Sequence, residues 1–420
     1  MVLVAANASA QQPPVRENVR EYRRAPRAYV LTMGPGDHPF ARFGHNALLL
    51  EWPGRSVVYN FGTFAFDGLD GVKDFMAGRF RYWLSLSSLD RTLEFYASQN
   101  RTLVTQELDL TIEERQELAR ALAENALPEH RYYNYDYYYD NCTTRVRDAV
   151  DRALGGALKR AITGSGRYTY REHTERLSAD EPWLYFALDL ALGPLTDRPT
   201  TRFDELWVPD QLEQALASAK IERDGVQRPL VMATRTLVTA DRPPAREAPP
   251  SRAGWFGLFG LGIGAALFAL ADRARTSRIA RAAFGGFTAL FGLFFGLIGS
   301  VLLVFWLFTK HWSAYRNENL LVCAPWAVLL AFTAFGLALG RPRATERTRL
   351  LLKASAVAAL LAFLLALIPG FGQDNTRIAA LFTPIWLALY LGACRITGKH
   401  PLGQKLKTTS ASPVPSATAE

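Results

Sequence analysis

The chain has 420 residues, three cysteines and a formal net charge of +9, which is enough length for two or three domains. Apolar residues make up 49% of it, and the long apolar runs lie almost entirely after residue 253. Much of the excess positive charge sits in short loops between these runs, where basic residues set membrane orientation. We therefore exclude a nucleic-acid-binding protein and expect a soluble region followed by a membrane region.

The start of the chain resembles part of an export signal. Ala8 and Ala10 have the spacing of a signal-peptidase site, but the apolar stretch before them is short and has no basic start. We interpret residues 1–24 as a remnant signal peptide with an extended leader, and a disordered leader is the alternative.

Alternating apolar patterns predict β-strands over residues 28–33, 42–51, 56–61 and 103–110. The sequence from Trp52 to Arg55 contains Pro-Gly and predicts a hairpin turn. Thr111 and Glu114 have the spacing of a capping box, which predicts a helix from there to about residue 126. We expect an α+β domain with an antiparallel sheet over residues 25–222.

The rest of this domain is predicted to be mostly helical. Residues 132–139 hold six tyrosines and are predicted to be extended, either as a wall for lipid or as an aromatic core strand. A helix is predicted from Cys142 to the Gly155-Gly156 pair, and further helices over 182–192 and 209–219. Residues 223–252, rich in Pro and Arg, are predicted to be a linker.

Five apolar stretches long enough to cross a bilayer follow, and we expect a five-helix transmembrane region over residues 253–395. They cover roughly 254–272, 284–309, 321–340, 350–370 and 377–394. Arginine and lysine are concentrated after the first, third and fifth stretches, so the positive-inside rule places those ends in the cytoplasm. Residues 1–250 are then predicted to lie outside the inner membrane, and residues 396–420 to form a cytoplasmic tail.

Cys142 is the strongest candidate for a catalytic residue. It is a lone thiol in a region predicted to face an oxidising compartment, and it stands at a predicted helix N-terminus, which favours the thiolate. His45, on a predicted strand, could act as its general base. The alternative is that Cys142 is a small buried apolar residue.

A third polar group usually orients such a histidine, and Asn60 is the candidate, with Tyr59 and Asp140 behind it. The Cys142 backbone N–H and one further donor could stabilise an oxyanion. The sequence contains no HExxH, CxxC or phosphate-binding glycine loop, so we expect neither a metal nor a cofactor.

Further polar residues are candidates for substrate binding, and each also has a plain structural interpretation as a loop residue, a solvated helix face or an interfacial cap. They are His38, Tyr59, Tyr139, Asp140, Asn141, Arg145, His311, Asn317 and Asn319. The last three lie in a loop between apolar stretches that could contact the first domain or a lipid headgroup. His130 and His173 are expected at the surface.

The order of histidine strand before cysteine helix resembles the circularly permuted branch of the NlpC/P60 superfamily, a papain-like fold that includes lecithin:retinol acyltransferase-like enzymes. Several motifs together are similar to the periplasmic domain of Lnb-type lipoprotein N-acyltransferases over roughly residues 25–220. They are Gly34-Pro35-Gly36-Asp37, Phe43-Gly44-His45-Asn46-Ala47, Tyr59-Asn60-Phe61-Gly62, Phe80-Arg81-Tyr82 and Tyr139-Asp140-Asn141-Cys142-Thr143-Thr144-Arg145. The membrane region, with Asn317-x-Asn319-Leu320-Leu321, is similar too.

This resemblance implies an inner-membrane acyltransferase. Cys142 would take an acyl chain from a phospholipid as a thioester and pass it to the N-terminal amine of a diacylglyceryl lipoprotein, with His45 as base and Asn60 orienting it. Two alternatives remain: an NlpC/P60-type cell-wall peptidase or amidase, and a non-enzymatic membrane sensor or scaffold. A transporter is disfavoured, because the apolar stretches hold almost no charge.

Overall fold

The computed structural model of the protein describes residues 25–65, 68–368 and 372–399, and the chain divides into two compact units. The first unit runs to Pro250 and also includes Phe305–Arg316. The second unit consists of Ser251–Val304 and the residues from Asn317 onward. The predicted leader over 1–24 and most of the predicted tail over 396–420 lie outside the described residues.

The first unit is built on a seven-stranded sheet in which neighbouring strands are antiparallel. The strands of the described chain are β1 (Arg27–Met33), β2 (His45–Trp52), β3 (Arg55–Thr63), β4 (Arg81–Ser87), β5 (Leu103–Leu108), β6 (Tyr132–Asn134), β7 (Lys220–Arg223), β8 (Val226–Pro229) and β9 (Val231–Val238). The sheet order is β6-β4-β3-β2-β1-β5-β9, and β7 and β8 form a separate hairpin. The predicted α+β fold with an antiparallel sheet is confirmed.

Helices cover both faces of this sheet. They are α1 (Gly68–Met76), α2 (Leu89–Ser98), α3 (Ile112–Asn125), α4 (Cys142–Ala153), α5 (Ala157–Ala161), α6 (Tyr170–Ser178), α7 (Pro182–Ala191) and α8 (Pro209–Ser218). Because side chains alternate along a strand, Leu48 and Leu50 of β2 meet Val146 of α4 on one face. Leu49 faces the other way and packs with Tyr96 of α2. The site described below lies where α4 begins against β2 and β3.

The predicted linker over residues 223–252 is wrong in its first half. Asp224 and Gly225 have φ of +52° and +75° and form the tight turn between β7 and β8. β9 then pairs with β5 along the edge of the sheet. The Pro- and Arg-rich composition of residues 223–252 favoured the prediction of a linker over that of strands, although the Asp-Gly pair is a strong indication of a hairpin turn.

Two other predicted elements differ in extent. The strand predicted over 42–51 begins only at His45, because a 3₁₀ turn at Pro39–Ala41 and Gly44, with φ +81°, precede it. The tyrosine run predicted to be extended over 132–139 is a strand only at Tyr132–Asn134. After it the Asp136 carboxylate accepts hydrogen bonds from the backbone N–H groups of Tyr138 and Tyr139, which turns the chain.

The second unit contains the apolar helices. They are α9 (Ala253–Arg273), α10 (Arg278–Phe308), α11 (Leu330–Ala338), α12 (Pro342–Ala366) and α13 (Thr376–Thr397), and α10 ends in the first unit. Five segments of the described chain are long and apolar enough to cross a membrane, as predicted. The third, Glu318–Ala338, is not a continuous α-helix: short 3₁₀ turns occupy Glu318–Leu321 and Pro325–Leu329 before α11.

Candidate active site

Cys142 is the first residue of α4 and is 5% exposed. The side chain of Asn141 accepts a hydrogen bond from the Thr144 N–H at 2.8 Å, and Thr144 Oγ1 accepts one from the Asn141 N–H at 2.8 Å. Asn141 Nδ2 also donates to the carbonyl oxygens of Tyr137 and Trp207, at 2.9 and 3.1 Å. Asn141, predicted as a substrate contact, is thus engaged in fixing the start of α4 beneath the thiol.

Gly62 on β3 marks the space shared by Cys142 and His45. A Cβ atom built on Gly62 would lie 3.4 Å from Cys142 Cβ and 4.0 Å from His45 Cε1. Gly62 has φ +89°, a conformation that residues with a side chain rarely adopt. The structure therefore brings both the predicted nucleophile and the predicted base next to a position that has no side chain.

His45 is fully buried at the start of β2. Burial lowers the pKa of its imidazole well below the usual 6.5; the positive charge of Arg101 lowers it further, and the side-chain amide of Asn60 acts in the opposite direction. Neither ring nitrogen has a hydrogen-bond partner among the described residues. A neutral imidazole with a free nitrogen can accept a proton. In this structure the Cys142 thiol and the His45 imidazole are neighbours, but no hydrogen bond joins them.

Asn60 lies close enough to His45 to influence its pKa. Its Nδ2 donates to Ser87 Oγ at 3.1 Å, and its buried Oδ1 has no partner among the described residues. Ser87 Oγ is in turn 2.8 Å from Thr92 Oγ1. Ser87 therefore holds the Asn60 amide in place and leaves its oxygen available to a neighbour. This geometry is compatible with the predicted role of Asn60 in orienting His45, which stays a prediction.

Two tyrosines that the sequence analysis did not name individually surround the thiol. Burial raises the pKa of Tyr133 and of Tyr135 well above 10, and the charge of a Cys142 thiolate adds to the effect in both. The Tyr135 ring lies 3.8 Å from the Cβ position of Gly62 and stacks on Tyr82 with 4.0 Å between ring centroids. Both hydroxyls therefore stay protonated and can donate hydrogen bonds. The dense run of tyrosines over residues 132–139 was the sequence feature that could have indicated Tyr133 and Tyr135 as site residues.

The segment Phe305–Arg316 is part of the same unit and contacts the tyrosine run. Trp312 Nε1 donates to Asp136 Oδ2 at 2.5 Å, and its indole stacks on Tyr139 at 4.5 Å. His311 Nε2 donates to the Phe75 carbonyl oxygen at 2.9 Å, and burial lowers the pKa of its imidazole. The predicted candidates His311 and Tyr139 are therefore both joined to this part of the first unit, through contacts to protein.

The other candidates of the first unit are held in structural contacts. Arg145 and Asp140 form an ion pair at 2.6 Å, and the Arg145 guanidinium lies 3.8 Å from the centroid of the Tyr133 ring. Tyr59 is 2% exposed and lies in the core between the sheet and α4. His38 is exposed, and its Nδ1 accepts from the Phe40 N–H at 3.4 Å. Their predicted roles in substrate binding stay predictions.

Asn317 and Asn319 belong to the second unit and are buried there. Asn317 Oδ1 accepts from the Asn319 N–H at 2.9 Å, and Asn319 Oδ1 accepts from Asn375 Nδ2 at 3.2 Å. This polar cluster lies where the third apolar segment is broken, so these side chains stabilise backbone that is not α-helical.

His173 was expected at the surface, and this is wrong. It is fully buried, and its Nε2 lies 3.1 Å from Glu205 Oε1. The Glu205 carboxylate also accepts the backbone N–H groups of Arg167 and Tyr168, so the pair connects α6 to the loop before it. His130 is exposed, as expected.

Comparison with known families concerns the first unit. Residues 20–176 match the family model described as the Lnb N-terminal periplasmic domain, and this region includes His45, Asn60 and Cys142. No curated protein and no solved structure matches the chain significantly. The matched part of the chain is thus similar to a periplasmic domain of the Lnb family. Together with the five apolar helices, this identifies a membrane protein with a periplasmic segment.

Proposed function

We propose that the protein is a membrane-bound thiol acyltransferase that moves an acyl chain from a phospholipid, through a thioester on Cys142, to the N-terminal amine of diacylated lipoproteins. The observation that carries the proposal is the pairing of Cys142, at the N-terminus of α4, with a neutral, buried His45 across Gly62. The match to the Lnb periplasmic domain and the apolar helices support an enzyme that works on lipids.

In the first half-reaction, His45 takes the proton of the Cys142 thiol as the sulfur attacks the ester carbonyl carbon of the phospholipid. The bond between that carbon and the glycerol oxygen breaks, and His45 returns the proton to the leaving oxygen. The products are a lysophospholipid and the acyl thioester of Cys142. The oxyanion formed on the way accepts a hydrogen bond from the Cys142 backbone N–H and from a tyrosine hydroxyl such as that of Tyr133.

In the second half-reaction, the amine of the lipoprotein's N-terminal diacylglyceryl-cysteine attacks the thioester carbon. The carbon–sulfur bond breaks, His45 removes a proton from the nitrogen, and this proton returns to the Cys142 sulfur. The products are an amide and the free enzyme, so no oxidant, metal or cofactor takes part. Asn60 holds the imidazole in the orientation that both steps need.

The proposal includes a topology. The matched domain lies in the periplasm, the five apolar helices cross the inner membrane, and the C-terminus lies in the cytoplasm, as the distribution of arginine and lysine in the loops favours. This arrangement places the thiol in the compartment where lipoproteins display their free amine. The order of His45 on a strand before Cys142 on a helix supports a permuted NlpC/P60-like fold for the domain.

The test is mass spectrometry of lipoprotein N-termini from cells that depend on this protein. We expect N-acylated lipoproteins with the native chain and free amines with Cys142→Ala. Cys323→Ala and Cys394→Ala are matched controls, because each removes another buried free thiol of the described chain. We expect both to retain N-acylation.

A second measurement identifies the intermediate. Purified protein incubated with phospholipid alone should gain one acyl mass that hydroxylamine removes, and Cys142→Ala should gain none. Identical lipoprotein forms with native and Cys142→Ala chains would overturn the acyltransferase proposal. Release of cell-wall peptides by the native chain in the same cells would then favour the peptidase alternative.

A further inference from the structure

Helix α1 exposes a stripe of apolar side chains and has no buried residue. Leu69, Val72 and Met76 are 79%, 47% and 41% exposed. Their spacing of three and four residues places them on one narrow side of the helix, whereas Asp74 lies on the other side. An apolar stripe of this kind on a short amphipathic helix needs a partner that excludes water.

The end of α1 is attached to the residues that directly follow a candidate membrane span. The Lys310 N–H donates to the Ala77 carbonyl oxygen at 3.0 Å, one residue after α1 ends. Gly78 packs backbone to backbone against this segment, since a Cβ there would lie 3.0 Å from the Lys310 carbonyl carbon. α10, the span itself, ends at Phe308, which is 78% exposed. Met76, at the end of the stripe, is therefore one residue from a backbone contact to the segment that directly follows a candidate span, where a bilayer surface is expected.

The inner side of α1 leads to the thiol. The Phe75 ring meets Phe80 edge-on at 5.6 Å, and Phe80 meets Tyr82 at 5.1 Å. Tyr82 stacks on Tyr135, whose ring borders the Gly62 position beside Cys142. The cavity along this line has only about 20 Å³, room for about one water molecule. An acyl chain can follow this line only if these aromatic side chains separate.

We propose that α1 is an interfacial helix whose Leu69, Val72 and Met76 side chains insert into the lipid surface on the periplasmic side of the membrane. The aromatic line from Phe75 to Tyr135 then gives an acyl chain of that leaflet a route to Cys142. The insertion of α1 into lipid does not depend on the proposed function, whereas the route for the acyl donor rests on it.

The experiment uses the full chain in vesicles of phosphatidylethanolamine and phosphatidylglycerol. Leu69→Cys and Val72→Cys are each made in a chain that also carries Cys142→Ala, because the reactive thiol proposed above would take up the label. Each is labelled with an environment-sensitive fluorophore, and the two remaining native cysteines, Cys323 and Cys394, are buried. Phospholipids with brominated acyl chains then report contact with the hydrocarbon. We expect at least a twofold loss of fluorescence at 69 and 72.

Two controls fix the interpretation. Asp74→Cys lies on the other side of α1, and Met232→Cys replaces an equally exposed apolar residue on β9, 59% exposed. We expect less than a 1.2-fold loss at both. No quenching at 69 and 72, or equal quenching at 74, would overturn the interfacial helix.

The donor route has a separate measurement. The triple variant Leu69→Ser, Val72→Ser and Met76→Ser should lose at least tenfold in acyl transfer from vesicle phospholipid, whereas Val226→Ser with Met232→Ser should lose less than twofold. Insertion without any change in transfer would overturn the donor route. A native chain without transfer activity would overturn the proposed function and leave the quenching result intact.

Discussion

At the scale of single residues, the site depends on a position that has no side chain. Gly62 combines φ +89° with a location between Cys142 and His45, so a methyl group there meets both of them. Gly54 in the β2–β3 turn has a similar φ of +77°, but a Cβ there would meet no atom within 4 Å. The comparison of the two glycines therefore separates backbone strain next to the site from the same strain far from it.

We expect Gly62→Ala to abolish acyl transfer and Gly54→Ala to preserve it. Both variants carry a backbone strain of about 1–2 kcal/mol, because an alanine is forced into the left-handed region. Only at Gly62 does relaxation of this strain move backbone that lies beside Cys142 and His45, and a shift of about 1 Å between them costs about 100-fold or more in rate. The measurement is transfer rate alongside melting temperature for both variants; equal rates in the two would contradict the role assigned to Gly62.

The buried imidazole of His45 makes stability depend on pH. Its pKa in the folded chain is well below 6.5, whereas in the unfolded chain it takes the ordinary value near 6.5. Between these two pKa values only the unfolded state binds the proton, so the free energy of unfolding falls as the pH is lowered through this window. The slope is at most about 1.4 kcal/mol per pH unit.

His45→Gln removes this titration and should flatten the acid side of the stability curve by that amount. Melting temperatures of both proteins from pH 7 to pH 4.5 provide the measurement. The other histidines are present in both proteins, so their titrations cancel in the difference. Parallel curves would mean that His45 is accessible to protons in the folded state. If the native protein transfers acyl chains as proposed, we expect the acid limb of its kcat/KM to lie well below pH 6.5.

At the scale of elements, the start of α4 determines where the thiol lies. Asn141 caps the helix and ties it to the Tyr137 and Trp207 carbonyl groups in a buried setting. We expect Asn141→Ala to lower the free energy of unfolding by about 2 kcal/mol, because it removes the cap and leaves buried carbonyls without donors. Thermal unfolding measures the loss.

Thr111, which caps α3 from an exposed position, is the matched control, and Thr111→Ala should cost about 1 kcal/mol without changing the transfer rate. Asn141→Ala should also slow transfer. A full transfer rate in Asn141→Ala would show that Cys142 keeps its place without the cap.

Elements with a local signal were predictable from the sequence. The capping box at Thr111 and Glu114 forms as predicted, α4 begins at Cys142, and the hairpin turns at Gly54. In these cases the turn or the helix cap itself is formed by residues within four positions of each other, so the sequence pattern is sufficient to predict it.

Elements that depend on distant partners were not predictable in this way. β9 has five exposed residues, and its place is fixed by pairing with β5 from more than a hundred residues earlier. His173 lies in a helix rich in polar residues, and its burial is favourable because both ring nitrogens have partners. Glu205 Oε1 lies 3.1 Å from Nε2, and Arg176 Nη2 lies 3.3 Å from Nδ1. The third apolar segment is broken by Pro325 and by a polar cluster that includes Asn375, which lies far along the chain.

At the scale of the whole molecule, the first unit is completed by a segment from between two apolar helices. Phe305–Arg316 is tied to the end of α1 through Lys310, to Asp136 through Trp312, and to Gly193, whose N–H donates to the Ser313 carbonyl oxygen at 2.7 Å. A chain that ends at Pro250 lacks all these contacts and leaves Tyr137 and Tyr139 without their stacking partners.

We expect a fragment of residues 25–250 to melt about 6–12 °C below the same fragment carrying residues 305–316 on a flexible linker. Loss of a packed tryptophan costs about 3 kcal/mol, and each kcal/mol corresponds to about 2–4 °C in a domain of this size. Circular dichroism gives the melting temperatures, and Trp312→Ala in the longer fragment is the control. A shorter fragment with equal stability and full cell-wall hydrolase activity would favour the peptidase alternative.

The first unit consists of two separate stretches of the chain, and this sets the order in which its parts are synthesised. The ribosome synthesises the residues around Cys142 first, yet the partners of Asp136 and Gly193 emerge only after α9 and α10 have been synthesised. Folding of the first unit is thus finished only when the first two spans are made. A chain arrested before that point carries Cys142 in a unit that lacks the contacts of Trp312 and Ser313.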